Sequence, residues 1–234
     1  MKDILDLHTH TLASGHAFST IREMAAAAKN KGLELLAITE HAPSMPGTCH
    51  EFYFESIRCL DRTDYAVPIL FGVELNILNS DGDLDLHKEL ISSLDIAIAS
   101  LHPPCIPFMN KAETTKTIIN VMKRHDIHII GHLDDARFPI DYDMIAHVAK
   151  ETNTLLEVNN SSLTPYSFRL NAKENYLRLL ESCEKYQTEI VLNSDAHVDT
   201  CVGNHDLAWA VLQEYNFPEH LVINNSVEKL TNKL

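Results

Sequence analysis

Nine side chains able to bind a divalent metal recur in this 234-residue chain where an apolar run stops or the loop after it begins: His8, His10, His16, His41, Glu74, His102, His132, Asp195 and His197. Neutral imidazole and carboxylate suit zinc, manganese and iron, and no thiolate is required. Nine ligands exceed one tetrahedral site, so two or three ions, with a carboxylate such as Glu74 bridging a pair, would accommodate them. The first pair closes Ile4-Leu5-Asp6-Leu7-His8-Thr9-His10, which reads as a buried strand. An extended chain puts Asp6, His8 and His10 on one face and Leu5 and Leu7 on the other.

The same rhythm recurs along the chain. Thr20 with Glu23 forms a capping-box pattern ahead of an alanine-rich helix to Lys31, and Gly32 is placed to end it. Apolar runs follow at Leu33–Thr39 before Glu40-His41, at Val67–Val73 before Glu74, at Asp95–Leu101 before His102, and at Ile127–Gly131 before His132. Later runs at Thr154–Val158 and Glu189–Ser194 stop at Asn159-Asn160-Ser161-Ser162 and at Asp195-Ala196-His197, and Leu221–Ile223 reads as a terminal strand fragment. Helical periodicity separates most of them. About seven strands alternating with helices predict a parallel α/β sheet. Closure into a distorted seven-stranded, TIM-like barrel is preferred over an open sheet, because only closure brings all the strand ends to one pocket.

Length and ordinary globular composition, with no linker-like stretch, predict a single domain over residues 1–234. A formal charge of −14 disfavours nucleic acid or an anionic membrane as a general partner. Five cysteines without C-x-x-C spacing suggest neither a disulfide framework nor a thiolate zinc site, and a cytoplasmic setting is expected. No apolar run approaches the roughly 20 residues of a membrane span. Homo-oligomerisation is left open.

The segments Asp6-Leu7-His8-Thr9-His10, Thr39-Glu40-His41, Gly72-Val73-Glu74-Leu75-Asn76-Ile77, Ser100-Leu101-His102, Gly131-His132, Glu157-Val158-Asn159-Asn160-Ser161-Ser162 and Ser194-Asp195-Ala196-His197 together resemble the PHP (polymerase and histidinol phosphatase) family. Its stand-alone bacterial YcdX-type phosphatases look nearest. The resemblance implies a distorted β/α barrel, phosphoester hydrolysis and a trinuclear centre, usually zinc, with Mn2+ or Fe2+ as alternatives. Carried over by position, His8, His10, Glu74 and Asp195 would hold one ion, His16, His41 and His197 a second, and His102 and His132 a third that Glu74 also reaches. The chain departs after His132, where Leu133-Asp134-Asp135-Ala136-Arg137 replaces a His-Pro turn and puts substrate contacts there in question.

The expected activity is a metal-dependent phosphatase acting on a small phosphorylated substrate, with a metal-bridging hydroxide as nucleophile. Three divalent ions against two carboxylates would leave roughly +4 locally, enough to draw phosphate to an acidic protein. Alternatives are a metal-dependent hydrolase of a non-phosphate ester or amide, and a nuclease, the latter disfavoured without a basic track. A catalytically silent metal-binding protein ranks below these, since no ligand is missing. Asp6, Glu40 and Asn76 stand beside ligands and could orient them. Arg22, Lys111 and Arg137 are candidates for gripping phosphate. His50 and His87 are the outlying histidines whose loops could overhang the mouth, and the cysteines read as packing residues.

Overall fold

Short, apolar, β-branched runs with turn residues behind them can bury both faces only between helices, and the computed structural model, which describes residues 2–234, arranges them so. In chain order the first half comprises β1 (Leu5–Asp6), α1 (Ile21–Lys31), β2 (Leu35–His41), α2 (Phe52–Ser56), β3 (Ile69–Asn76), α3 (Lys88–Ile91), β4 (Ile96–Ser100) and α4 (Lys111–Met122). The second comprises β5 (Ile129–Ile130), α5 (Tyr142–Thr152), β6 (Leu155–Asn159), α6 (Ala172–Tyr186), β7 (Ile190–Asn193), α7 (Asp206–Tyr215) and α8 (Val227–Thr231). All seven strands are parallel and ordered β1 to β7, a nearly closed distorted barrel. Leu5, Leu35, Ile98, Ile129, Leu155 and Val191, from six of the strands, pack into one cluster with Leu230 of α8.

No ladder joins β1 to β7 among the described residues, and side chains lace that seam instead. Asn193 Oδ1 accepts from Leu7 N–H at 2.9 Å. The Asn224 amide donates to Leu5 and Leu192 carbonyls at 3.2 and 2.8 Å, while its oxygen accepts from Leu192 N–H at 2.8 Å. One bridge, Thr9 to Ala196, completes the contact near the mouth.

The capping box on α1 forms as expected, with Gly32 in the left-handed region behind it. Three expectations need correction. β1 ends at Asp6 rather than His10, so strict alternation lapses and Asp6 leaves the imidazoles' company. The helical stretch between the runs at Val67–Val73 and Asp95–Leu101 is only the four residues of α3. Leu221–Ile223 is no strand: a 3-10 turn over Glu219–Leu221 leaves only Val222 bridged to Ile190.

Candidate metal centre

The ends of β2, β3, β4, β5 and β7, with the chain after β1, bring all nine sequence-selected residues to one mouth. Glu74 is central and fully buried. Its Oε2 lies 3.3 Å from His8 Nε2, 3.5 Å from His10 Nε2 and 2.7 Å from His41 Nδ1. Its Oε1 lies 3.2 Å from His102 Nε2 and 2.9 Å from His132 Nε2. Asp195 Oδ1 stands 3.3 Å from His10 Nε2, and His16 Nε2 faces His197 Nε2 at 3.1 Å. Donor atoms from three triads, His8/His10/Glu74, His41/Glu74/His102 and His10/His41/His197, each lie within 4.8 Å of one another.

The hydrogen bonds around the rings fix which nitrogen is free. His8 Nδ1 donates to Glu157 Oε1 at 2.7 Å, and a carboxylate can only accept. His102 Nδ1 donates to Asn76 Oδ1 at 2.7 Å, because the Asn76 amide nitrogen is given to Asp85 and to the Ala42 carbonyl. The Ser14 hydroxyl donates to Glu40 at 2.6 Å and therefore accepts from His10 Nδ1 at 3.1 Å. His197 Nδ1 donates to the Asp195 carbonyl at 3.0 Å. Four imidazoles thus commit Nδ1 to the protein and turn Nε2 toward the centre, the arrangement metal-ligating histidines use.

The fit to a cation follows from what stays unpaired. His8 Nε2, His10 Nε2, His41 Nδ1 and Glu74 Oε2 are buried without a hydrogen-bond partner. Orphaned buried polar atoms are costly, and these four fall in two donor triads that share Glu74, the chemistry of a cation site. Burial pushes the Glu74 carboxyl up, but His102, His8 and His41 outweigh it and hold it well below the usual range. Burial, with His41 and His197 alongside, holds His10 well below the ordinary imidazole value and so in the neutral, ligating form.

Two non-glycine residues of this set take left-handed backbone, His132 at φ 28° and Asp195 at φ 53°. Such conformations cost energy and persist where surroundings over-determine them. His132 N–H is tied to Glu157 Oε2 at 2.8 Å, and the preceding Gly131 has room for no more: a Cβ there would sit 2.3 Å from Ser100 Oγ. Asp195 Oδ2 is tied to the Asn159 amide at 3.1 Å, and Ser194 before it to Asp6.

Of the expected orienting residues, Glu40 and Asn76 serve, Glu40 through Ser14. Asp6 instead bonds Ser194, Gly203 N–H and, at 3.6 Å, His205, because β1 has ended. Of the phosphate-grip candidates, Arg22 and Lys111 stand away from the mouth, and Arg137 lines its cleft in an ion pair. Arg22 pairs with Asp64 and Lys111 with Asp141 on exposed surface, and Arg137 is engaged by Asp135. His50 packs obliquely on Phe52 and His87 caps α3, and neither lines the cleft over the site. Cys105 has its thiol pushed up to about 11 by burial and Asp85, unlike a nucleophile.

Sequence reasoning missed Glu157 and Arg169. A charged residue inside the apolar run Leu155–Val158 was a signal for Glu157. Arg169 had none, lying in a loop of ordinary polarity. Its side chain is only 8% exposed, with Nη1 3.6 Å from Asp195 Oδ2 and 3.0 Å from Ser162 Oγ. Ser162 Oγ donates to Asp134 Oδ1 at 3.1 Å, which also accepts from the Tyr176 hydroxyl at 2.7 Å, so a buried chain aims the guanidinium. A cleft of about 460 Å3 opens over His16, His41, His102, Asp195, His197 and Arg169.

Comparison with known proteins accords with this geometry. The PHP domain model matches residues 6–225. A protein of Aliivibrio fischeri named "probable phosphatase" is 42% identical over 234 residues, covering 100% of this chain and 94% of that one. One of the same description from Clostridium novyi is 40% identical over 230 residues, covering 98% and 93%. Among solved structures, the histidinol phosphate phosphatase of Lactococcus lactis, complexed with zinc, L-histidinol and phosphate, superposes with a TM-score of 0.65 at 20% identity, covering 92% of this chain and 95% of that one. At that identity the likeness is one of fold. Among the described residues no helix is long and apolar enough to cross a membrane.

Proposed function

The chain belongs to the PHP domain family, and on that premise we propose that it is a metal-dependent phosphoric ester hydrolase acting on a small phosphorylated substrate. The observation that carries the reading is the joint presence, at one cleft, of orphaned imidazole nitrogens and a buried guanidinium. The first is a cation site and the second an oxyanion site, and a phosphoester needs both.

We assign the centre to three divalent ions, zinc first. His8, His10, Glu74 and Asp195 would hold one, His16, His41 and His197 another, and His102 and His132 the third with Glu74 shared. The three donor triads around Glu74, His10 and His41 support the sharing. When bound, divalent ions bring the pKa of water toward about 7 and stabilise charge on phosphoryl oxygens.

The chain's own contribution is positioning. Arg169, held by Ser162, would take two oxygens of the phosphate as a bidentate fork, preferring a phosphoester to a carboxylester or amide. Glu157, Asn76 and the Glu40–Ser14 pair keep His8, His102 and His10 in one tautomer, so no ring need reorient on binding. Burial of Glu74 and its ring of imidazoles excludes water from the side opposite the cleft.

Purified protein loaded with zinc or manganese should release phosphate from a generic aryl phosphate. His8→Ala and Asp195→Asn should abolish it, and metal analysis should find three ions per chain; turnover surviving both substitutions would sink the reading.

A further inference from the structure

Arg169 lies in the loop between β6 and α6, flanked by Phe168 and Leu170, which are both exposed. The Phe168 ring lies 5.3 Å from the guanidinium, but that contact is open to solvent. A long side chain on such a loop has many rotamers, and a phosphate that had to order it would bind more weakly. What fixes this one lies beneath it.

Asp134 Oδ1, which holds Ser162 under the guanidinium, accepts from the Tyr176 hydroxyl, and the Tyr176 oxygen accepts in turn from Asn159 N–H at 2.9 Å. Asn159 Oδ1 accepts from Ser162 N–H at 3.2 Å, so the hydrogen bonds close into a ring. The Asn159 amide nitrogen leaves that ring to reach Asp195 Oδ2 and Glu157 Oε2, both at 3.1 Å. All four members, Asn159, Ser162, Asp134 and Tyr176, are buried.

The two sides of the ring are held differently. Asn159 belongs to β6 and pairs with Asn193 of β7, so the sheet fixes it whatever the phenol does. Asp134 and Ser162 stand outside the strands and helices, and the Tyr176 hydroxyl refers their carboxylate to the sheet. Asp134 Oδ2 has no partner, so without the phenol a single side-chain bond would aim a buried carboxylate.

Resting on the phosphatase reading, we propose that Tyr176 is a positioning residue for phosphate capture: through Asp134 and Ser162, its hydroxyl holds the Arg169 guanidinium in register with Asp195. It touches neither the metal ligands nor the cleft. Its loss therefore weakens phosphate binding, while the ligands at the strand ends keep their ions.

Tyr176→Phe keeps the ring and removes only the hydroxyl, so the full chain should fold and load with zinc as wild type does. Inorganic phosphate, titrated by calorimetry on the zinc-loaded protein, should bind about tenfold more weakly, the cost of ordering one long side chain. KM for an aryl phosphate should rise by a similar factor, with kcat changed by less than about twofold. Tyr142→Phe is the matched control, since its hydroxyl donates to the Leu133 carbonyl at 3.1 Å, beside Asp134 but outside the ring; phosphate binding should be unchanged. In an Arg169→Met background, Tyr176→Phe should cost no further affinity. Equal weakening in the two tyrosine variants, or an undiminished loss without the arginine, overturns the inference and makes Tyr176 a packing residue of α6. A wild type that binds phosphate with these dependences but hydrolyses no ester overturns the phosphatase reading and leaves Tyr176 its role in holding the anion site.

Discussion

The molecule contains two buried clusters of histidine and carboxylate about the same barrel, and they solve the same electrostatic problem in opposite ways. At the mouth, imidazoles outnumber carboxylates, and His8 Nε2, His10 Nε2 and His41 Nδ1 are buried without a hydrogen-bond partner. At the β1–β7 seam, a single imidazole, His205, lies between two carboxylates: Asp3 Oδ2 at 2.7 Å, which also accepts from Trp209 Nε1, and Asp6 Oδ1 at 3.6 Å. Burial disfavours its charged form, but Asp3 and Asp6 outweigh it and push its pKa up to about 10. An imidazole-rich cluster calls for a metal, whereas a carboxylate-rich one is neutralised by a proton.

The largest effect that separates them is metal removal. At ion concentrations of about 1,000 Kd, binding at the mouth should stabilise the fold by about 4 kcal/mol, lost together with activity on chelation. Thermal melts with and without chelator check this. A melting temperature indifferent to chelation would mean the mouth, like the seam, is neutral without ions.

Next is His205→Gln, which leaves Asp3 and Asp6 facing each other uncompensated. It should destabilise by about 3 kcal/mol while bound metal and the drop on chelation stay unchanged. The loss also depends on pH. Because the folded pKa is raised from 6.5 to about 10, the stabilisation is complete below about 6.5 and disappears as pH rises through about 10. The stability difference between wild type and variant should therefore close at alkaline pH; a constant difference would show that His205 acts by packing.

The contrast also explains what could be read from sequence. Strand-end placement announced His8, His10, His41, Glu74, His102, His132, Asp195 and His197, because a parallel barrel forces strand ends together. The same logic gave the seven strands and the helices between them. The seam was illegible: His205 stands 202 positions from Asp3, and nothing local marks β1 as ending at Asp6. Nor does sequence say that Asn224 stands in for a missing ladder. Arg169 was hidden for a related reason, since its burial comes from Ser162, Asp134 and Tyr176, contacts set by α6 packing rather than by periodicity.

Smaller still should be the loss of an orienting bond. Asn76→Ala removes the acceptor of His102 Nδ1 and frees that ring to rotate. Activity or metal affinity should fall by about 10–100-fold with one ion affected more than the others. Metal titration followed by calorimetry distinguishes that from a uniform loss, which would indicate that the mouth collapses as a unit.

The smallest effect tests the seam's charge balance without dismantling it. Asp3→Asn keeps an oxygen that can accept from Trp209 and from the His205 Nδ1–H, gives up the acceptor of the Asn224 amide, and removes one negative charge. Asp3 is partly exposed, unlike Asp6, so solvent screens its share and the cost at neutral pH should be about 1 kcal/mol. With one carboxylate left, the His205 pKa should fall, and the alkaline loss of stability should begin at lower pH than in wild type. Denaturant unfolding across the alkaline range measures that displacement. If it does not move, Asp6 alone holds the proton, and the seam is a single ion pair with a hydrogen-bonded neighbour.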